Sequence, residues 1–426
     1  MEESHAITLK NKLKGISPIS SECCIYRVPK RLRDVNEKAY TPQVVSLGPI
    51  HHGREGLEAM EDHKMRYVKD FFERTNVNLE DCFNSLKEWE ARIRSCYAVN
   101  IEFSEEELVE MILVDGIFTV EVLLRSAFPT LQQESDRIFG KPWMDRDVVY
   151  DMLMLENQLP FFVLEYFYSL AHASNTIPLE KDTELSLIKL THTFFEEKVY
   201  IRPLEEVSNK LSQYSGARIQ HFVDYILKCH RPSPSELPPK RKLDTLSIPS
   251  ATQLKAAGVH FMVVHDTTLF DIQFENGILK IPQLRIRGST EVFFRNLIAY
   301  EQFELNDHYI SDYVFIIDHL LDSSRDVELL ARKGILESKL SDSKAVTTFI
   351  STLDLGPILF GTNFYFTELC EKLNEYYGVP WHNWKASLQQ DYLSSPWAIL
   401  AITIATILLV LTLTQAGLSL ANITEN

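Results

Sequence analysis

The stretch DRDVVYDMLMLENQLPFFVLEYFYSL, residues 145–170, predicts a strongly apolar helix that a proline interrupts. Pro160 has no backbone N–H and its ring clashes with the preceding turn, so we expect the helix to kink or break there. Glu156, Asn157 and Gln158, the first polar cluster, stand just before this proline inside an otherwise apolar run. Burying such groups costs free energy unless they are hydrogen-bonded, so they need partners in the core.

Helical patterns flank this stretch on both sides. Residues 104–128, SEEELVEMILVDGIFTVEVLLRSAF, open with Ser104 and Glu107, which is the pattern of a capping box. Further helices are predicted at 216–230 and repeatedly after residue 289. Residues 56–75 place six apolar side chains on roughly one helical face: Leu57, Met60, Met65, Val68, Phe71 and Phe72.

Strand-like pieces occur only after residue 259. In LFDIQFENGILKIPQLRI, residues 269–286, Asn276-Gly277 separates two alternating segments and indicates a two-residue type I′ hairpin. The predicted fold class is therefore mainly α (α+β): a helical globular domain with a small antiparallel β-hairpin, plus one C-terminal transmembrane helix.

The predicted transmembrane helix lies in a long run without charge. No charged residue occurs between Asp391 and Glu425, and Trp397 to Ala416 supplies the roughly 20 apolar residues that a bilayer-spanning helix needs. Its threonines are tolerable because their hydroxyls can bond carbonyls one turn back. Lys385 precedes the span and no Lys or Arg follows it, so the positive-inside rule predicts a single-pass membrane protein with its large N-terminal domain in the cytosol.

The organisation of the chain follows from these patterns and from two irregular stretches. Residues 24–53 mix short apolar pieces with Pro and Gly and predict an extended, loop-rich segment. Residues 231–250 carry five prolines and predict a linker or surface loop. We expect a flexible tail (1–21), a helical lobe (22–230), the Pro-rich linker (231–250), a second lobe with the hairpin (251–391), the transmembrane helix (396–416) and a short tail (417–426).

The overall composition excludes some classes of function. The formal net charge is −16, so the surface repels phosphate backbones and no nucleic-acid partner is expected. Six cysteines, two of them adjacent, do not resemble a disulfide framework and are typical of a reducing compartment.

Two adjacent histidines pose the question of a catalytic or metal site. His51 and His52 lie in SLGPIHHG, residues 46–53, between Gly48 and Gly53. The chain contains none of the spacings CxxC, HExxH, GxSxG or GxxxxGK[ST], so no catalytic residue, metal or cofactor is predicted. The favoured interpretation is a turn whose imidazoles bond to nearby backbone, and metal binding or catalysis is the alternative.

A second polar cluster lies in EVFFRNLIAYEQF, residues 291–303, and consists of Arg295, Asn296, Glu301 and Gln302. We expect both polar clusters to bond to each other or to loop backbones, in a network that links the two halves of the chain. A ligand pocket lined by the same groups is the alternative.

Several stretches in order carry a resemblance to a known family. Residues 25–53, 60–72, 151–164, 250–261, 277–284 and 290–302, together with the Pro-Trp-Ala start of the anchor, resemble the plant family called domain of unknown function 247. The resemblance runs from about residue 23 to about residue 416. It implies a membrane-associated plant protein, and it transfers no catalytic residue.

These observations favour a tail-anchored plant membrane protein that acts as a protein-interaction or recognition module. Its partners would be the lipid bilayer, through the C-terminal helix, and an unknown protein. A membrane-tethered enzyme of unfamiliar type, using the His51-His52 turn or the polar clusters, is one alternative. A receptor-like determinant whose domain lies outside the cell is the other.

Overall fold

The computed structural model describes residues 20–178, 185–196, 218–232, 248–265, 267–304, 308–353, 364–379 and 403–415, together with the single positions 199, 204 and 207. In this part of the chain helices predominate. Before the strands they are α1 (Lys30–Arg33), α2 (Glu58–Thr75), α3 (Leu79–Glu88), α4 (Glu90–Ser95), α5 (Glu105–Ala127), α6 (Pro142–Met152), α7 (Phe161–Ala173), α8 (Leu187–Glu196), α9 (Phe222–His230) and α10 (Ala251–Ala256). The helices that follow are α11 (Gly288–Glu304), α12 (Tyr309–Leu320), α13 (Ser324–Arg332), α14 (Ser343–Leu353) and α15 (Thr367–Tyr377).

Helix α5 is the central element of the first half. It packs against α2, α3, α7 and α8, and almost all of its side chains after the first turn are buried. Ser104 and Glu107 form the predicted capping box at its start. Gly116 lets α7 approach closely, because a Cβ at this position would lie 2.7 Å from the ring of Phe167. The helix ends at Ala127, since the proline at 129 disfavours helical geometry at Phe128.

The predicted break at Pro160 is confirmed, but the helix before it is shorter than expected. Helix α6 ends at Met152, and α7 begins directly after Pro160. Residues 153–160 form a buried turn between the two helices. The expectation that Glu156, Asn157 and Gln158 lie inside a helix is therefore wrong. Their side chains take the backbone hydrogen bonds that a helix would otherwise make for itself.

Five short strands form two sheets. Strands β1 (His260–Val264), β2 (Gln273–Glu275) and β3 (Ile278–Pro282) give a three-stranded sheet in the order β1-β3-β2. The predicted hairpin is present as antiparallel β2 and β3, and Asn276 and Gly277 have the positive φ angles of 51° and 78° that a type I′ turn requires. The parallel pairs β1–β3 and β4 (Leu284–Ile286) with β5 (Leu336–Ser338) were not anticipated. The fold is mainly helical with small sheets, in agreement with the α+β class.

The N-terminal segment is loop-rich, as predicted. Between residues 24 and 53 it contains only α1 and a 3-10 turn at Glu37–Tyr40. Buried apolar side chains from both predicted lobes form one continuous cluster that includes residues from Cys24 to Leu373. The division at the Pro-rich linker stays a prediction, since residues 233–247 lie outside the described residues.

No helix within the described ranges combines the length and the apolar character that crossing a membrane requires. Of the span predicted at 396–416, residues 403–415 are described and are helical. Trp397 and Ala416, its predicted ends, lie outside the described residues. The transmembrane assignment is thus unsupported by the described part of the chain.

Candidate functional site

The first polar cluster lies against a stretch of irregular backbone, residues 43–48, which we call the clamped segment. From Val45 onward this segment is buried, although it is neither helix nor strand. Its N–H and C=O groups therefore need side-chain partners, because an unpaired buried backbone group costs about 1–3 kcal/mol. The partners come from α2, α5, α6 and the turn at 153–160.

Asp151, near the end of α6, holds the start of the clamped segment. Its carboxylate accepts the amides of Gln43, Val44 and Val45 at 2.9, 2.7 and 2.8 Å. Burial raises the pKa of Asp151 to about 7, although these three amides act in the opposite direction. Sequence reasoning missed this residue, because an aspartate near a helix end is usually solvated.

Asn157 and Gln158 bond to backbone on both sides. Asn157 accepts the amide of Leu47 at 2.6 Å and donates to the carbonyls of Val45 and Asp151, both at 3.0 Å. Gln158 donates to the carbonyls of Met152 and Met154 at 2.8 Å, inside its own turn. These two amides shape the turn before Pro160 and fix the clamped segment beside it.

Glu156 joins the start of the N-terminal segment to His51 near the end of the same segment. One oxygen accepts the amide of Val28 at 2.7 Å and is ion-paired with Arg33, and the other lies 3.2 Å from Nε2 of His51. That last contact lacks the angle of a hydrogen bond. Burial alone would raise the pKa of Glu156, but His51, Arg33 and the Val28 amide outweigh it and hold the pKa below its ordinary value.

A buried lysine and Asp115 close the other end of the clamped segment. Lys64 of α2 is fully buried and donates to the carbonyl of Ser46 and to Asp115, both at 2.6 Å. The other oxygen of Asp115 accepts the amide of Gly48 at 2.8 Å. Gly48 has a φ of +70°, and a Cβ there would lie 2.7 Å from the hydroxyl of Tyr97, so only glycine fits.

The two histidines have different surroundings. His51 is buried beside Glu156, whereas His52 is exposed and packs edge-to-face with Phe103, with ring centroids 5.6 Å apart. Within the ranges that the structure describes, no group of three His, Cys, Asp or Glu side chains is arranged to hold a metal ion.

The second polar cluster is divided between several partners. Asn296 accepts the amide of Leu155 at 2.9 Å and donates to the carbonyl of Ala39 at 2.8 Å, which ties α11 to the first half of the chain. Arg295 is paired with Glu291 at 2.8 Å on its own helix. Asn296 thus provides a direct link between the two halves of the chain, of the kind that was predicted.

Glu301 and Gln302 have separate roles. Glu301 is fully buried and accepts the amides of Ile310 and Ser311, so it caps the start of α12. Burial raises the pKa of Glu301 to about 8. Gln302 is half-buried and accepts a hydrogen bond from Arg31. Neither side chain shares a described hydrogen bond with Glu156, Asn157 or Gln158.

A further buried charge cluster, between α2 and α5, was also missed. Arg125 pairs with Asp70, Glu121 and Asp136 at 2.8, 3.3 and 3.2 Å, and Tyr67 donates to Asp136 at 2.7 Å. The sequence contains the pattern that indicated the first polar cluster, namely polar residues within an apolar run. Here Asp115, Glu121 and Arg125 interrupt the apolar helix at 105–127.

An open apolar groove lies on the surface between α2, α3 and α5. Its volume is about 520 Å³, and Met65 and Leu79 on its walls are 54% and 52% exposed. Met65 and Phe72, predicted to share one face with core residues, line this groove instead. The lining residues are Met65, Val68, Phe72, Leu79, Glu80, Phe83, Asn84, Glu110, Leu113 and Val114.

We predict that Asn157→Leu destabilises the protein by about 3 kcal/mol or more, because it leaves one amide and two carbonyls unpaired in the core. The measurement is the free energy of unfolding in urea. The matched control is Gln302→Leu, whose bonding partner Arg31 is exposed, and we expect a loss below about 1 kcal/mol. Equal losses for the two variants would contradict the structural role of Asn157.

The two histidines should differ in the same assay. His51→Gln removes a buried contact with Glu156 and should cost about 1–2 kcal/mol, whereas His52→Gln changes an exposed ring and should cost about 0.5 kcal/mol or less. Elemental analysis of the purified protein completes the test. If the wild-type protein holds stoichiometric zinc or iron and the double variant His51→Gln, His52→Gln loses it, a purely structural role of the turn is contradicted.

Comparison with known proteins places the chain in a plant family. Over residues 25–411 the chain matches the family described as "Plant protein of unknown function" (DUF247). It is 26% identical to UPF0481 protein At3g47200 of Arabidopsis thaliana, with 93% of this chain and 86% of that protein covered. It is 25% identical to Putative UPF0481 protein At3g02645 of the same plant, with 91% and 88% covered. No solved structure matches the chain. Because the family match spans most of the sequence, the chain belongs to the plant family DUF247.

Proposed function

We propose that this protein is a membrane-tethered protein-interaction module, in which a C-terminal helix holds the chain at a bilayer and the helical domain binds a partner protein. The observation that carries the proposal is the open apolar groove between α2, α3 and α5. Its volume of about 520 Å³ lies within the range of roughly 300–1,000 Å³ of known ligand sites, which are lined mainly by apolar side chains.

The groove suits one kind of partner. Its floor and walls are apolar, Glu80 and Glu110 are its charged lining residues, and no lysine or arginine lines it. A groove between helices accepts the apolar face of an amphipathic helix. The acidic lining and the net charge of −16 favour flanking lysines or arginines. We therefore propose that a basic amphipathic helix of a partner protein occupies the groove.

The hydrogen bonds that the buried polar residues make to backbone favour a binding function over a catalytic one. Asp151, Asn157 and Asp115 direct their polar atoms at the backbone of the clamped segment, and Glu301 directs its carboxylate at the start of α12. A catalytic carboxylate or base needs atoms that can reach a substrate. In these residues the same atoms hold the fold together.

Attachment to a membrane rests on a separate feature. Along residues 403–415 every side chain is exposed, and Leu409 and Leu413 are 62% and 64% exposed. Thr412 donates to the carbonyl of Leu408 at 2.7 Å, so its hydroxyl needs no water. A helix that is apolar on all sides requires an apolar surrounding. With Lys385 before it and no basic residue after it, we propose that the large domain faces the cytosol.

Deletion of residues 392–426 should release the protein from membranes. We expect the full-length chain to stay in the pellet after carbonate washing of plant microsomes, and the truncated chain to move to the supernatant. Protease added outside sealed microsomes should digest the large domain of the full-length protein. A truncated chain that still resists carbonate, or a protected domain, would contradict the proposed anchor or its orientation.

Occupation of the groove can be tested with a model peptide. We expect a leucine–lysine amphipathic helix of about four turns to bind, and its leucine–glutamate counterpart not to bind, by fluorescence anisotropy. The double variant Met65→Glu, Leu79→Glu should weaken binding at least about tenfold, which is about 1.4 kcal/mol.

The control for this experiment is Met262→Glu. Met262 is 43% exposed on β1, away from the groove, so binding should be unchanged. Equal binding of the two peptides, or equal effects of the groove and control variants, would contradict the proposal. Self-association that only the groove variant abolishes would assign the groove to a second copy of the chain instead.

A further inference from the structure

Two cysteines meet where the N-terminal segment passes the end of α4. The amides of Cys24 and Ile25 both donate to the carbonyl of Cys96 at 2.9 Å, and the amide of Ala98 donates to the carbonyl of Ile25 at 2.9 Å. Ile25 and Tyr97 form a parallel bridge. Paired strands lie about 4.8 Å apart, which is within the range of Cα separations that a disulfide spans. Cys24 and Cys96 are therefore adjacent in space.

Their side chains also interact. Both residues are buried, and the thiol of Cys24 forms a hydrogen bond with the side chain of Cys96. This hydrogen bond lowers the pKa of Cys96, and Arg92 and Arg218 act in the same direction, against the opposing effects of burial and of the Glu22 carboxylate. The thiolate is the nucleophilic form of cysteine, so Cys96 is the reactive member of the pair.

The other buried cysteines lack this environment. Burial raises the pKa of Cys82, Cys370 and Cys229, the last to about 12. A thiol whose pKa is raised by apolar surroundings is inert toward oxidants. Cys82, Cys229 and Cys370 therefore serve as internal controls for the reactivity of Cys96.

We propose that Cys24 and Cys96 form an oxidation-sensitive dithiol that hydrogen peroxide converts into a disulfide. The Cys96 thiolate attacks one peroxide oxygen, the O–O bond breaks, and the departing hydroxide takes a proton to become water. The sulfur of Cys24 then attacks the resulting sulfenic acid. The S–S bond forms, the S–O bond breaks, and the thiol proton leaves with the hydroxide as a second water. Two thiols are oxidised and one molecule of hydrogen peroxide is reduced.

A surface ion pair lies close to Cys96, whose thiol donates to the carbonyl of Arg92 at 3.3 Å. Arg92 and Glu22 are in contact at 3.3 Å, with side chains that are 34% and 46% exposed. Exposed ion pairs of this kind contribute little to stability, so separating these two side chains costs little free energy. The disulfide would fasten the N-terminal segment, which carries the partners of Glu156 and Asn296, to the end of α4.

Treatment of the purified full-length protein in detergent with hydrogen peroxide tests this proposal. Peptide mapping without reductant should find Cys24 linked to Cys96 in the folded protein, and dithiothreitol should reverse the link. Cys23→Ser should leave the link intact, because Cys23 is not the bonded partner. Cys229→Ser should leave its rate of formation unchanged.

Two further variants assign the roles. Cys24→Ser should accumulate sulfenic acid at Cys96, which dimedone traps, whereas Cys96→Ser should leave Cys24 unmodified. Peptide mapping of the wild-type protein needs no variant, so its result is valid even if Cys24→Ser or Cys96→Ser fails to fold. A link through Cys23, or oxidation of Cys82, Cys229 and Cys370 as fast as Cys96, would overturn the proposal. Absence of any link after peroxide has modified Cys96 would also overturn it.

Discussion

Buried backbone without a regular partner is the constraint on which this structure depends. Residues 43–48 run through the interior beside α2, α5 and α6, yet they belong to no helix or sheet. From Val45 onward water cannot reach this backbone, so its amides and carbonyls need hydrogen bonds from within the protein. Asp151, Asp115 and Asn157 provide acceptors for the amides, and Lys64 and Asn157 provide donors for the carbonyls. The fold requires these polar side chains in its core.

The same requirement explains how the chain around Pro160 is shaped. A continuous helix from α6 into α7 would satisfy its own backbone, but the clamped segment would lose the hydrogen bonds that Asn157 makes with Leu47 and Val45. The turn at 153–160 instead brings Glu156, Asn157 and Gln158 into the interior, where they bond to the N-terminal segment and to the turn itself. Asn296 repeats this arrangement from the second half of the chain. Polar groups in the core therefore specify which segments meet, and apolar burial supplies most of the stability.

Much of the local structure could be predicted from the sequence, because its causes are local. The capping box at Ser104, the break at Pro160 and the turn at Asn276-Gly277 each depend on a few neighbouring residues. The partners of the polar clusters could not be predicted, since Val28 and Glu156 are far apart in the chain. The groove escaped notice for a related reason. Helical periodicity places Met65 beside core residues, and only the positions of α3 and α5 determine that this side remains open.

For function, this division separates residues that hold the fold from surfaces that remain available. Asn157, Asn296 and Glu301 bond to backbone that needs them, whereas His51 lies beside the carboxylate of Glu156. The proposed partner and membrane functions rest instead on the open groove and the 403–415 helix. In this member of a plant family of unknown function, the conspicuous polar motifs contribute hydrogen bonds that hold the fold.

The most direct test of the clamped segment is amide hydrogen exchange. We predict that the amides of Val44, Val45, Leu47 and Gly48 exchange as slowly as those in the middle of α5, because side-chain acceptors protect them in the folded protein. Exchange as fast as that of the exposed turn at His52 would contradict the central claim that buried side chains hold this backbone in place.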